Sequence, residues 1–310
     1  MLHEVSFASY NGRDQVQGWI YVPACKPKGI VQVIHGFGEH SRRYLHMISA
    51  FMDAGYIVAA DDHVGHGKTA MVNNVWGDWG DKGPHTMMED EHTLKGIVCE
   101  KYPDLPYFLF GHSMGSFIAR NYLCRYGSGI GGAVIVGTGM QPAGLIFASK
   151  AMAGIQKLFC GSKHVSHFMD KAAFGGYNKR IDSPRTSSDW LSRNTENVDR
   201  YIEDELCGFT FTVNGFQTLF ELIRRLQKQE NLEKVPQNLP ILMVSGAEDP
   251  VGDYGKGVHK ACDSLKRAGV KNITVKLYEN DRHELLNEDD AEVAMEDIWQ
   301  WICKEIPGIA

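Results

Sequence analysis

Tyr107-Phe108-Leu109-Phe110-Gly111-His112-Ser113-Met114-Gly115-Ser116 is the stretch that orders the rest of the chain. A short apolar run ends in G-x-S-x-G, and Phe117, Ile118 and Tyr122 then recur at helical spacing. This predicts a strand, a sharp turn and a helix, with Ser113 at the apex. The glycines at 111 and 115 have a physical task, since neighbours without a Cβ let strand and helix approach closely. A serine held there is a candidate nucleophile; the competing role for a serine at such a place is that of a helix N-cap.

Working outward, Glu4 to Ser9 and Val16 to Val22 flank Asn11-Gly12, a hairpin signal. Four nearly continuous apolar runs follow, Ile30 to His35, Tyr56 to Asp61, Tyr107 to Gly111 and Gly132 to Gly137, each with the character of a strand buried on both faces. Ile241 to Gly246 and Ile273 to Tyr278 bring the strands to eight. Helical spacing at Leu45, Ile48 and Met52, at Leu94, Ile97 and Val98, and at Val293, Ile298 and Trp301 fills the connections. Strands alternating with helices predict an α/β doubly wound, mostly parallel sheet.

One connection is far longer than the usual two to about six residues. Residues 138–237 carry apolar helical material (Ala143 to Phe159), a turn-rich middle and a second helical part, and we read them as a mainly helical cap over the C-terminal edge of the sheet. The core domain is then 1–137 and 238–310. Leu145, Ile146, Phe147, Met152, Ile155, Leu158 and Phe159 exceed the needs of one buried stripe. Surplus apolar surface of this kind suits an acyl tunnel, a membrane-touching lid or a dimer contact, against the plainer alternative of packing onto the core.

Composition excludes several classes. The 310 residues are 43% hydrophobic and 23% charged, with 32 Lys plus Arg against 38 Asp plus Glu. The net charge of −6 leaves no basic surplus for nucleic acid. Seven scattered cysteines without a C-x-x-C pair fit reduced thiols and a cytoplasmic setting. MLHEVSFASYNGRDQ lacks the layout of a secretory signal, and no stretch has the length of a membrane span.

A serine hydroxyl needs a base, and the base needs an orienting carboxylate. His283 is the only histidine past the last predicted strand. Asp249 sits just past Ile241 to Gly246, with Glu248 and Asp253 as alternatives in the same loop and an Asp-Pro turn as its plainer role. An oxyanion formed at Ser113 needs two backbone N–H donors, expected from Met114 and from Phe37 in His35-Gly36-Phe37-Gly38.

HGFGEHSRRY (35–44), DHVGHGKT (62–69), GHSMGS (111–116), SGAEDPVG (245–252) and the cap segment DWLSRNTENVDRYIEDELCG (189–208) together resemble the monoacylglycerol lipase and lysophospholipase-like branch of the α/β-hydrolase superfamily. The resemblance spans nearly the whole chain. It implies the α/β-hydrolase fold, a triad of Ser113, Asp249 and His283, and oxyanion donors at Phe37 and Met114. It also implies that Glu39 and Arg43 stand near the polar end of the pocket, where the alcohol sits; an ion pair at a helix start is their plainer reading. Mammalian members carry a second histidine three residues after the first, where this chain has Leu286, and Asp-Pro-Leu of many members reads Asp204-Glu205-Leu206 here.

The expected reaction is hydrolysis of a single-chain acyl ester, foremost a monoacylglycerol, with lysophospholipids and short-chain esters as alternative substrates and a binding-only protein as the non-enzymatic alternative. The expected partner is a small lipid ester, with transient membrane contact through the cap. No cofactor is expected, and no metal either: His35 and His40, like His63 and His66, lack the helical i, i+4 spacing of a zinc protease and fall in predicted loops.

Overall fold

Each apolar run forms a strand of one eight-stranded sheet in the computed structural model, which describes residues 1–305. The chain opens with β1 (Leu2–Ala8) and β2 (Gln15–Tyr21), paired antiparallel. Then follow β3 (Gly29–Ile34), α1 (Leu45–Asp53), β4 (Tyr56–Asp62), α2 (Gly67–Asn73), α3 (Pro84–Lys101), β5 (Tyr107–His112), α4 (Met114–Tyr126) and β6 (Gly132–Val136). Between β6 and the next strand run α5 (Ala143–Cys160), α6 (His167–Phe174), α7 (Thr195–Glu203), α8 (Val213–Leu226) and α9 (Gln229–Leu232). The last elements are β7 (Ile241–Gly246), α10 (Lys256–Arg267), β8 (Ile273–Tyr278) and α11 (Ala291–Glu305). The spatial order is β1-β2-β4-β3-β5-β6-β7-β8, parallel from β4 to β8. This is the α/β-hydrolase fold.

Strand order reverses between β3 and β5, so the loops after these two strands face one crevice at the C-terminal edge, where open α/β sheets take their ligands. Both faces are covered. Val31, Val33, Phe108, Phe110 and Val244 pack with Met47, Ile48 and Phe51 of α1 and Ile298 of α11. Ile30, Ile34, Leu109, Ile135 and Met243 pack with Leu94 and Val98 of α3, Phe117 and Tyr122 of α4 and Val258 of α10. Alternate residues of each strand go to opposite cores, which is why these runs are apolar throughout rather than alternating.

Three local expectations need correction. Only Gly12 of the Asn11-Gly12 pair has positive φ, and β1 and β2 are joined across residues 9–14, because the Asn11 side chain accepts from the amides of Arg13 and Asp14 and builds a wider loop. The buried face of α1 is Met47, Ile48 and Phe51 rather than Leu45, Ile48 and Met52; Leu45 is exposed because the chain is still turning out of a 3-10 turn at Ser41–Tyr44. The buried face of α11 is Ala294, Ile298, Trp301 and Ile302, whereas Val293 is exposed. Among the described residues no helix is long and apolar enough to cross a membrane. On α5, Ile146 and Ala153 are buried, whereas Leu145, Phe147, Ile155, Leu158 and Phe159 are exposed.

A polar cluster is sealed between β4 and α3. Glu91 lies 3.2 Å from His63 Nδ1 and accepts from Gln32, while both carboxylate oxygens of Asp61 are buried without a hydrogen-bond partner among the described residues. His63 Nε2 donates to the His35 carbonyl at 3.2 Å. Burial, and next the Asp61 charge, push the Glu91 carboxyl well above its ordinary range. Its folded-state affinity for a proton thus exceeds that of the unfolded chain, and stability is lost as pH rises from the ordinary carboxylate range toward the folded value. Glu91→Gln, which keeps the shape of the protonated acid, is expected to flatten this loss; urea melts between about pH 6 and about pH 9 check it, parallel curves for variant and wild type being the contrary result.

Candidate active site

Ser113 sits between β5 and α4 with φ 56° and ψ −120°, a left-handed conformation that non-glycine residues rarely adopt and that costs about 1–3 kcal/mol. Its amide is fixed by the Val136 carbonyl at 3.0 Å. Crowding explains the flanking glycines: a Cβ at Gly115 would stand 1.9 Å from the Ile34 carbonyl oxygen, and one at Gly111 2.5 Å from that of Gly115. The strand-turn-helix of the motif is therefore built on a close approach that only glycine permits.

His283 follows β8 and Asp249 follows β7, and the sheet brings their loops together. Asp249 Oδ2 lies 3.0 Å from His283 Nδ1, off the axis of a straight ring N–H bond, a looseness common before substrate is bound. Both are buried, whereas Glu248 and Asp253, the other acids of that loop, are exposed. Asp249 is further held by the Val251 amide at 2.8 Å and the Ser245 hydroxyl at 3.1 Å. Ser113, Met114, Phe37 and His283 all line one cavity of about 440 Å³. Among the described residues the Phe37 and Met114 amides have no protein acceptor, and Phe37 is fixed by stacking on Phe211 at 3.6 Å between ring centres.

The cavity wall combines polar groups, among them Glu39, Glu284 and Tyr201, with apolar side chains, among them Leu145, Ile146, Phe174, Leu219, Phe220 and Ile223. Glu39 reaches the wall, but Arg43 does not. Its guanidinium is committed to Glu284 at 2.5 and 2.8 Å, to Glu39 at 3.0 Å and to Asn197 at 3.2 Å, and it lies over the Tyr201 ring. Neither expectation for Arg43 fits, since it is neither an alcohol contact nor a surface ion pair but a buried tie between the loop after β3, the residue after His283 and Asn197 of α7. Although burial pushes Glu39 and Glu284 up, the His112 hydrogen bond and Arg43 hold Glu39 well below the carboxylate range, and Arg43 lowers Glu284. These groups stabilise the fold above the ordinary carboxylate range and lose that contribution as pH falls. Arg43→Ala removes the guanidinium that two buried carboxylates share, and we expect a loss of about 3–5 kcal/mol in chemical denaturation near neutral pH, shrinking toward acid; a change under about 1 kcal/mol would contradict the tie.

A family model described as serine aminopeptidase, S33, matches residues 25–290. The solved carboxyl esterase of Bacillus coagulans, in complex with glycerol, superposes with a TM-score of 0.93 at 43% identity, over 98% of this chain and 99% of that one. The chain belongs to this α/β-hydrolase family. A lipase solved in an open form is 35% identical with a TM-score of 0.89, over 99% of this chain and all of that one. The monoacylglycerol lipase of Mycolicibacterium smegmatis is 28% identical over 98% of both chains. These similarities place the hydrolase on the monoacylglycerol lipase-like branch.

Sequence reasoning about this hydrolase missed His112, Tyr44 and Glu284. Tyr44 Oη lies 2.7 Å from both Glu39 Oε1 and His112 Nδ1, and its single proton goes to the carboxylate, so Nδ1–H donates to the tyrosine. His112 Nε2 lies 3.1 Å from the His283 carbonyl, which can only accept. Both ring nitrogens thus carry protons. Burial opposes this charge, but the Glu39 hydrogen bond and charge outweigh it and raise the His112 pKa. Its stabilising contribution is complete below the ordinary histidine value and is lost as pH rises through the folded one. The signal was present in the second position of the G-x-S-x-G motif and in the residue directly after His283.

Leu286, where mammalian members carry a histidine, is buried in the core on the α1 and α11 side of the sheet. Asp204 closes a local turn: its carbonyl accepts from Cys207 N at 2.9 Å and its side chain from Leu206 N at 2.9 Å.

Proposed function

We propose that this hydrolase is a serine esterase cleaving single-chain acyl esters, foremost monoacylglycerols, through an acyl-enzyme on Ser113. The observation that carries the reading is the cavity itself, where Ser113 and His283 share one wall with polar groups fit for a small alcohol and apolar side chains fit for an acyl chain. The printed names of the similar proteins, a carboxyl esterase, a lipase and a monoacylglycerol lipase, agree with it.

In the proposed mechanism His283 takes the Ser113 proton as Oγ attacks the ester carbonyl, and the Phe37 and Met114 amides stabilise the oxyanion. The C–O bond to the alcohol breaks as His283 returns the proton to the leaving oxygen. Water, deprotonated by His283, then attacks the acyl-enzyme, and the carboxylic acid leaves as Ser113 regains its proton. Residues 138–237 act as the cap, and the exposed residues of α5 give it an apolar outer face suited to a lipid surface.

Glu39 and Glu284 are already paired with Arg43 and so offer no free carboxylate to the α-ammonium group of a peptide. Rates across monoacylglycerols of increasing chain length test the substrate class. Each methylene buried is worth about 0.8 kcal/mol, so kcat/KM is expected to climb by up to about fourfold per methylene until the cavity is filled. A maximum at acetyl or butyryl would instead favour the short-chain ester reading.

A further inference from the structure

His40, Asp204 and Cys207 bring one imidazole nitrogen, one carboxylate oxygen and one thiol sulfur within 4.8 Å of one another, outside the cavity of Ser113. We propose that these three side chains form a zinc site that clamps the cap to the loop after β3.

The donor set suits the ion. Zinc takes nitrogen, oxygen and sulfur ligands in a tetrahedron with ligand atoms about 3.5 Å apart, so the three donors need shift by only about 1 Å to close on it. Two of them share a pre-formed turn, with Asp204 O accepting from Cys207 N and Asp204 Oδ1 occupied by Leu206 N, which leaves Oδ2 for the ion. His40 comes from the core side and already meets Asp204 Oδ2 at 2.9 Å through Nε2. A bound ion would take the place of the Nε2 proton in this contact, the ring proton passing to Nδ1.

Access is also provided. The Asp204 side chain is 34% exposed while that of His40 is 8% exposed, so the cluster opens to solvent on the Asp204 side, where water supplies the fourth ligand. Binding forms a Zn–S bond and releases the thiol proton to solvent; the apo thiol holds that proton firmly, because burial raises its pKa. The site spans the junction at which Gly208 N and the Tyr201 hydroxyl both donate to the Gly38 carbonyl, at 2.9 and 3.1 Å. A bound ion adds a third tie there, between the cap and the loop that carries Phe37.

The test is titration of the reduced full-length chain with Zn²⁺ by calorimetry and with Cd²⁺ by ultraviolet absorption, in a Cys25→Ser, Cys160→Ser background that removes the exposed thiols. We expect one equivalent of Cd²⁺ to produce a thiolate-to-metal band that is absent from Cys207→Ser. Zn²⁺ affinity should fall more than about tenfold in Cys207→Ser and in Asp204→Asn, the smaller loss that outer-sphere changes alone already cause. Zn²⁺ should also raise the melting temperature of the parent and not that of Cys207→Ser. Asp204→Asn keeps the test decisive should the serine variant fold poorly. No zinc binding by the parent, or binding unchanged in both variants, would overturn the site.

Discussion

Ser113→Ala is expected to lower ester hydrolysis by on the order of a million-fold, about 8 kcal/mol of transition-state stabilisation, with the fold preserved. The hydroxyl is the only group at the apex of the turn able to form the acyl bond. Its removal leaves the Phe37 and Met114 amides and the cavity walls, which sustain only the weak background catalysis that an oxyanion site gives to water. Stability should not fall, because the backbone at Ser113 stays in its unusual conformation with either side chain and the hydroxyl caps no helix amide. Initial rates on a monoacylglycerol, together with thermal unfolding of the same sample, check both halves. Turnover within about tenfold of wild type would remove Ser113 from the mechanism.

The second large effect is expected at Asp249, where Asn should cost about ten-thousand-fold in kcat while leaving the site's shape unchanged. Val251 N and Ser245 Oγ fix the carboxylate, and Oδ2 faces His283 Nδ1. An amide placed there offers the ring an N–H where it needs an acceptor, so the imidazole turns to the tautomer that cannot take the serine proton. Glu248→Gln and Asp253→Asn are the controls from the same loop. Both side chains are exposed, and each substitution is expected to change kcat by less than about threefold, within the small effects usual for surface positions. Parallel kinetics of the three variants decide among the acids; a larger loss at Glu248 or Asp253 would reassign the role.

What could be read from the sequence divides along physical lines. The strands were legible because both faces of the sheet are covered, so Ile30 to Ile34 or Tyr107 to Phe110 appear as unbroken apolar runs. Ser113 and its glycines were legible because backbone crowding at Ile34 admits few residues at Gly115, which leaves a local signature. The Arg43 network was not. Its members come from residues 39, 43, 197 and 284, and only the folded chain shows that the guanidinium is spent on buried acids rather than offered to substrate. His112 and Glu284 stood beside recognised residues, yet their partners lie across the fold, and no spacing rule links them. The face of α1 was misread because Leu45 and Met52 fit helical periodicity as well as the buried set does, and only packing distinguishes Met47, Ile48 and Phe51.

The most direct test of the central claim is covalent labelling. A fluorophosphonate reacts with a serine only when a base and an oxyanion site activate it, so it reports on Ser113, His283 and the two amides together and does not depend on the choice of ester. We predict a single stoichiometric adduct that peptide mapping places on Ser113, lost in Ser113→Ala and strongly slowed in Asp249→Asn. Absence of an adduct on the folded wild-type chain, or an adduct on another residue that persists in Ser113→Ala, would contradict the account.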